Sequence, residues 1–408
     1  MIINKVNLKT WFLIPCVLLI GIYSCTTDRP LNPDDYEIDT DGDGITDDQE
    51  ILDGTDRNNP CDPAQRSGYA AYDPLNLLWS ASDCDNDGVN NGDELAIGNS
   101  PYGDPDNPMF AVPEFLPKLS ELQLYQGNLS DFDLNTNVHE YHVSTPLFSD
   151  YAYSFKVIAL PNGAKMTYDG PGLFLFPENT ILAKSIYYLN DERNATLGKK
   201  VIETQVLIKK DGAWQVGNYL WNNEQTEAFL DSGAHTVPVE WIDATGADRS
   251  VAYKVTSKIV CFQCHNNNGN TQPIGPKARA LNYVYDGKNQ IDNLKEKGLL
   301  ANTLEVSQIA VLPDWSNPSF ALEERARAYL DVNCAHCHQP GGSYNVGHDD
   351  SFGFRFESSF EDSGIYQKRV DIKDRMNTQT PAYFMPYIGT TVLHTEGVEL
   401  INEYIDSM

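Results

Sequence analysis

Basic residues are scarce in this chain. Its 408 residues include 29 Lys and Arg against 58 Asp and Glu, a formal net charge of −29. That balance excludes a nucleic-acid partner, which needs a phosphate-neutralising face. Long hydrophobic runs are missing as well. Beyond Trp11 to Ile22 no stretch is long enough to cross a bilayer, and even that one is short. Methionine is rare, with six residues and none between Met166 and Met376. No Ser-His-Asp or Cys-His catalytic constellation is evident in the middle of the chain. Cysteine is limited to eight residues, few enough to account for one by one.

Four of the eight stand in two copies of one pattern. Cys261-Phe262-Gln263-Cys264-His265 and Cys334-Ala335-His336-Cys337-His338 both read C-x-x-C-H. That is the attachment pattern of a c-type haem. Two thiols two residues apart can add to the two vinyl groups of one porphyrin, and the adjacent His coordinates the iron. A closed zinc site wants four ligands, and each cluster offers three. A redox dithiol needs no following His, and both copies have one. The expectation is two covalent haems, on Cys261 and Cys264 with His265 as axial ligand, and on Cys334 and Cys337 with His338.

The N-terminus reads as an export signal. Lys5 and Lys9 precede the short apolar core. Ile22-Tyr23-Ser24-Cys25 resembles a bacterial lipobox, with Ile and Tyr where Leu and a small residue are usual. Cleavage after residue 24 would leave Cys25 lipidated, with a plain signal peptide or an uncleaved anchor as alternatives. The expected location is the envelope of a Gram-negative bacterium, lipid-anchored to a membrane, periplasmic or surface-exposed. Cys16 falls in the signal. Cys61 and Cys84 remain, and an oxidising compartment permits them to pair.

Acidic charge gathers near the front, where residues 28–107 hold 21 Asp and Glu and three Arg. The arrangement is ordered. Asp39, Asp41, Asp43, Ile45 (through its carbonyl), Asp47 and Glu50 occupy positions 1, 3, 5, 7, 9 and 12 of a loop with Gly44 at position 6. Asp83, Asp85, Asp87, Val89, Asn91 and Glu94 repeat it 44 residues on, with Gly88 at position 6. Hard oxygen donors at this spacing suit Ca2+. The helices that flank an EF-hand loop are not evident, and Pro- and Asp-rich turns follow. The layout over 39–107 resembles thrombospondin type 3 repeats, a resemblance that implies calcium binding and a semi-rigid stalk. A solvated acidic tether is the plainer alternative.

From 113 to 255 aromatic and β-branched residues rise. Tyr153 to Leu160, Ile181 to Leu189, Val201 to Ile208, Trp214 to Trp221, Val237 to Ile242 and Ser250 to Val255 read as strands, with Lys210-Asp211-Gly212-Ala213 a hairpin turn. The expected architecture is an antiparallel β sandwich or barrel. Trp214, Tyr219 and Trp221 read as core. His139 and His142 form a weak metal pair at best.

Around the second haem motif, Leu322 to Leu330 and Glu396 to Ile405 read as helices, and Gln339-Pro340-Gly341-Gly342 as a helix stop. This order, with Met385-Pro386 in a loop, resembles class I cytochrome c. The resemblance implies Met385 as the sixth ligand of the haem on His338. For the haem on His265 the distal ligand stays open among Met376, His394, Met166, His348 or a His of the middle domain. Lys277 and Arg279 are either propionate partners or solvated.

Residues 113–408 as a whole resemble an uncharacterised family of exported bacterial dihaem c-type cytochromes. The matching stretches are Pro146-Leu147-Phe148-Ser149-Asp150-Tyr151, Trp221-Asn222-Asn223-Glu224-Gln225-Thr226, Pro273-Ile274-Gly275-Pro276-Lys277-Ala278-Arg279, Asn333-Cys334-Ala335-His336-Cys337-His338 and the Met385-Pro386 end. The expected fold is multidomain: signal 1–24, linker 25–38, calcium-loop stalk 39–107, β domain 113–255, first haem segment 256–317, and a mainly α cytochrome c-type domain 318–408. The resemblance implies electron transfer to a redox partner protein. The alternative is an enzyme, a dihaem peroxidase or oxidase, with an open iron at His265. A surface adhesion or scaffold role is a third reading.

Overall fold

A computed structural model of the chain describes residues 38–65, 73–84, 90–97, 101–102, 115–161, 163–347, 352–380 and 383–408. The signal segment with Cys25, and Asp85, Asp87, Val89 and His348, lie outside the described residues. The chain divides into two compact units, residues 1–78 and 79–408.

In the first unit the acidic loop runs into a helix, α1 (Asp47–Asp53). Thr46 caps it, its hydroxyl accepting from the Gln49 N–H, and Gly54 ends it in the left-handed region. In the second unit α2 (Asn91–Ile97) begins at the same loop position. A short helix therefore does follow each loop. It escaped the sequence reading because seven residues are too few to establish an apolar period.

The β region forms one six-stranded sheet: β1 (Val138–Glu140), β2 (Tyr153–Ala159), β3 (Ile181–Leu189), β4 (Lys199–Lys210), β5 (Ala213–Trp221) and β6 (Ala228–Leu230). Strands neighbour in chain order and every pair is antiparallel, a simple meander. Asp211 (φ 53°) and Gly212 (φ 79°) make the tight turn between β4 and β5, as a two-residue hairpin of right-handed strands requires. A separate hairpin pairs β7 (His235–Ile242) with β8 (Asp248–Val255). The sheet is open: among the described residues no pairing joins β1 to β6. The expected sandwich or barrel is therefore not what forms: the region is a single open antiparallel sheet with a hairpin against it.

Each face of the sheet buries its own core. On one, Leu119, Leu124, Tyr125 and Phe132 from the preceding segment pack on Val157, Ala183, Val206, Tyr219 and Trp221. On the other, Ile158 and Leu182 meet Phe174 and Phe176 from the β2–β3 connection and Ala280, Leu281 and Leu294 from the chain after the sheet. The β7–β8 hairpin covers that second face further along, where Val239, Trp241, Val251 and Tyr253 meet Ile186 and Tyr188.

The C-terminal part packs helices α4 (Leu322–Asn333), α5 (Ile365–Met376) and α6 (Thr395–Asp406) around Tyr329, Leu330, Ile372, Met376, Leu400 and Ile401. Two of these follow the apolar pattern of the sequence. The middle one did not announce itself: of IYQKRVDIKDRM only Ile365, Ile372 and Met376 are buried, too sparse a stripe to recognise.

Candidate functional site

In the first acidic loop the carboxylate oxygens of Asp39, Asp41 and Asp43 lie within 4.8 Å of one another. Asp43 and Glu50 are fully buried. Asp39 receives the N–H groups of Gly42 and Gly44, at 2.7 and 2.9 Å, which folds the loop round it. Gly42 and Gly44 both take positive φ, 74° and 97°, a conformation that glycine adopts freely. Oδ2 of Asp41, Oδ2 of Asp43 and both oxygens of Glu50 are buried without a hydrogen-bond partner. Burial, followed by repulsion from Asp41 and Asp43, pushes Glu50 up to about 8. Burial raises Asp41 to about 6, Asp43 and Asp39 adding to the shift. Buried bare carboxylates facing one another are costly unless a cation neutralises them. The all-oxygen donor set fits a hard divalent ion such as calcium.

Position 9 also has a structural part. Asp47 accepts from the N–H and hydroxyl of Thr40, both at 2.7 Å, and its own N–H donates to the Ile38 carbonyl. In the second loop Asn91 accepts from the Cys84 N–H at 3.0 Å, and its N–H donates to the Ser82 carbonyl. Position 9 thus closes each loop back on position 2. Glu94 is buried. Cys61 and Cys84 are both in disulfide form.

The two C-x-x-C-H motifs lie together. The first is carried on α3 (Lys258–His265). The second follows α4 as a further turn, the His338 N–H donating to the Cys334 carbonyl at 3.0 Å. All four cysteines are free thiols. Cys264 Sγ, Cys337 Sγ and a ring nitrogen of His336 fall within 4.8 Å of one another. The segments beyond the motifs are also joined: the Asn268 N–H donates to the Gly341 carbonyl at 2.8 Å, and Asn267 bridges Gly342. A hydrogen bond shared by Cys264 and Cys337 raises the first thiol and lowers the second.

His265 Nδ1 is 2.8 Å from the Gln272 carbonyl. That bond places the proton on Nδ1 and leaves Nε2 as a lone-pair donor. Burial lowers its pKa to about 4, so the ring is neutral. His265 borders three spaces. One, of ≈ 610 Å³, is lined by Cys264, Lys209, Lys277, Arg279 and Arg355 among others. A second, of ≈ 100 Å³, touches Cys261, Cys264, Lys184 and Pro386. A third, also ≈ 100 Å³, touches Lys156, Lys184 and Lys277.

Lys277 and Arg279 both turn to a carboxylate, Lys277 half-buried and Arg279 buried. Nζ of Lys277 is 3.2 Å and Nη2 of Arg279 2.7 Å from the Asp331 carboxylate, which is buried. Arg279 also pairs with Glu357 at 2.5 Å. Burial raises Asp331, but the two cations outweigh it and hold the carboxyl below its ordinary value. Asp331 carried no signal in the sequence.

His338 is ringed by Tyr344, Phe352 and Phe354, with ring centroids 4.5–5.5 Å away. Met385 is half-buried, its N–H held by the Arg375 carbonyl at 3.1 Å. The Pro386 that follows borders the space touching Cys261 and His265. Among the other distal candidates, Met166 is buried in the sheet core and Met376 in the helical core. His394 Nδ1 is 3.0 Å from Tyr329 Oη, and its ring stacks on Phe148. His142 pairs with Glu140 at 3.0 Å and stacks on Tyr285, while His139 lies on β1.

A family model described as bacterial TSP3 repeat matches residues 39–60 and 83–98. It supports the calcium reading of the front segment. No curated protein matches the chain, and no solved structure matches it. Among the described residues no helix is long and apolar enough to cross a membrane.

Proposed function

We propose that the chain is an exported, lipid-anchored dihaem c-type cytochrome that passes electrons to a redox partner protein. The observation that carries this reading is the meeting of two C-x-x-C-H motifs 73 residues apart in sequence, with Cys264 and Cys337 thiols side by side. Haem, when bound, supplies one-electron chemistry at iron. The residues present suit it. Cys261 and Cys264 would hold one porphyrin and Cys334 and Cys337 the other. His265, neutral and with Nε2 free of its backbone bond, would hold the first iron. His338, walled by Tyr344, Phe352 and Phe354, would hold the second in an apolar, water-poor setting, with Met385 as its other ligand. Lys209 and Arg355 offer cations to carboxylates in the larger space. The acidic repeats, with Ca2+ bound, serve as a spacer after the lipid on Cys25. Calcium repeats and a signal segment both suit export to the cell envelope.

The experiment is expression with a periplasmic haem-attachment system, followed by mass measurement of the denatured chain and a haem assay. Two covalent haems are expected, with one left in a Cys334→Ala, Cys337→Ala variant. A chain that matures without haem would sink the reading. A second reading, a soft-metal centre on Cys264, His336 and Cys337, is favoured by that cluster itself. It would appear in the same experiment as stoichiometric zinc or copper without haem.

A further inference from the structure

One face of the sheet carries a row that its surroundings do not explain. Lys156, Lys184, Gln205 and Asn218 stand directly opposite one another across β2, β3, β4 and β5. To one side on the same face lie Ile158 and Leu182, and to the other Ile186 and Tyr188, all buried in apolar clusters. Two lysines in the middle of such a face are unfavourable unless something occupies the space before them. Their hydrogen-bond partners are neutral hydroxyls. Lys184 Nζ reaches Ser149 Oγ at 3.4 Å and Lys156 Nζ reaches Ser154 Oγ at 2.7 Å. Neither forms an ion pair among the described residues. The nearby Glu203 carboxylate accepts from Tyr253 and Gln205 through Oε1, at 2.7 and 3.0 Å, and forms no ion pair with either lysine, while its Oε2 is buried without a hydrogen-bond partner.

What stands before the row is the first motif. Lys184 and His265 border both of the ≈ 100 Å³ spaces, and one of these also touches Cys261 and Cys264. Among the described residues no methionine lines either space. His265 has committed Nδ1 to Gln272 and presents Nε2.

We propose that Lys184 Nζ is the second axial ligand of the iron held by His265. The proposal rests on the dihaem reading. An amine coordinates only when deprotonated, so one proton passes from the Lys184 ammonium to solvent as the nitrogen–iron bond forms. Lys156, its neighbour in the row, borders only the space that lacks the two thiols and stays unligated. The first haem is then six-coordinate, which favours electron transfer over substrate binding at that iron.

The test is electron paramagnetic resonance and near-infrared absorption of the oxidised, full-length protein with both haems attached. Two low-spin haems are expected in the natural protein. Lys184→Ala should turn one of them high-spin, with Lys156→Ala leaving both low-spin. Lys184→Met, which keeps a ligand, should restore the low-spin state with a shifted near-infrared band. A high-spin haem in the natural protein would overturn the proposal, as would two unchanged low-spin signals in Lys184→Ala. If Lys184→Ala does not mature, the near-infrared band of the natural protein decides: a methionine or histidine position for both haems overturns the proposal. A chain with no attached haem defeats the dihaem reading as well, so the two failures are told apart by the haem count.

Discussion

Asp331 shows how one residue can organise a site without advertising itself. Its carboxylate is buried, holds Lys277 and Arg279, and accepts the Phe356 N–H at 3.1 Å. Removing one partner of a buried charge cluster leaves the others bare. Asp331→Ala should therefore destabilise the protein by about 3–5 kcal/mol, read by denaturant unfolding; a loss under about 1 kcal/mol would mean Glu357 alone satisfies Arg279. The carboxylates of the first acidic loop have the opposite character. Glu50 and Asp43 are buried without enough partners, so they destabilise the loop until a cation arrives. Glu50→Gln should weaken one calcium-binding event by about tenfold or more, since affinity follows ligand charge. Calorimetric titration against the natural protein checks this, and unchanged affinity would remove Glu50 from the ligand set. The acidic ligands were legible because their spacing is local. Asp331 was not, because its partners lie 52 and 54 residues away in sequence and nothing in its own neighbourhood marks it.

At the scale of elements, the strands were readable and their purpose was not. Alternation and the Asp211-Gly212 turn placed β2, β3, β4 and β5 within two residues of where they lie. The short edge strands β1 and β6 and the polar helix α5 were missed, since three residues or a sparse stripe carry too little pattern. The alternation itself conceals the lysine row: Lys156 and Lys184 sit at positions that read as solvent-facing polar residues in a half-buried strand. Register puts them on a covered face instead. Burial, and then repulsion from Lys184, lowers Lys156 to about 7. The folded pKa lies below the unfolded one near 10.5, so the folded state binds fewer protons in between. Stability should then rise as pH climbs from 7 toward 10.5. The span corresponds to at most about 5 kcal/mol, and partial solvent access reduces it. Lys156→Met should flatten this pH dependence and raise the melting temperature at pH 7. An unchanged pH profile would show that Lys156 reaches water.

The whole molecule is defined by the joining of two segments that the sequence sets 73 residues apart. Each motif was legible alone, because C-x-x-C-H is a local pattern. Their meeting was not, because it depends on where α3 and α4 are placed by the cores on which they pack. The contact itself turns on two glycines that read only as helix breakers. Gly341 has φ 80°, and a Cβ there would come within 2.4 Å of Asn268 Nδ2 and 2.7 Å of Asn267 Oδ1. A Cβ on Gly342 would meet the Cys337 carbonyl at 2.4 Å. The polar ends of Asn267 and Asn268 can shift, but the left-handed backbone at Gly341 disfavours any β-branched residue by about 1–2 kcal/mol. Gly341→Val should therefore part the Asn268–Gly341 hydrogen bond and separate the motif segments while leaving the helical core intact. Redox titration is the measurement. On the dihaem proposal, if the two sites exchange electrons across this contact, the natural protein should titrate with interacting potentials, and Gly341→Val should titrate as two independent centres with unchanged haem content. Identical titrations in both proteins would place the route between the sites elsewhere than at the junction of Asn268 and Gly341.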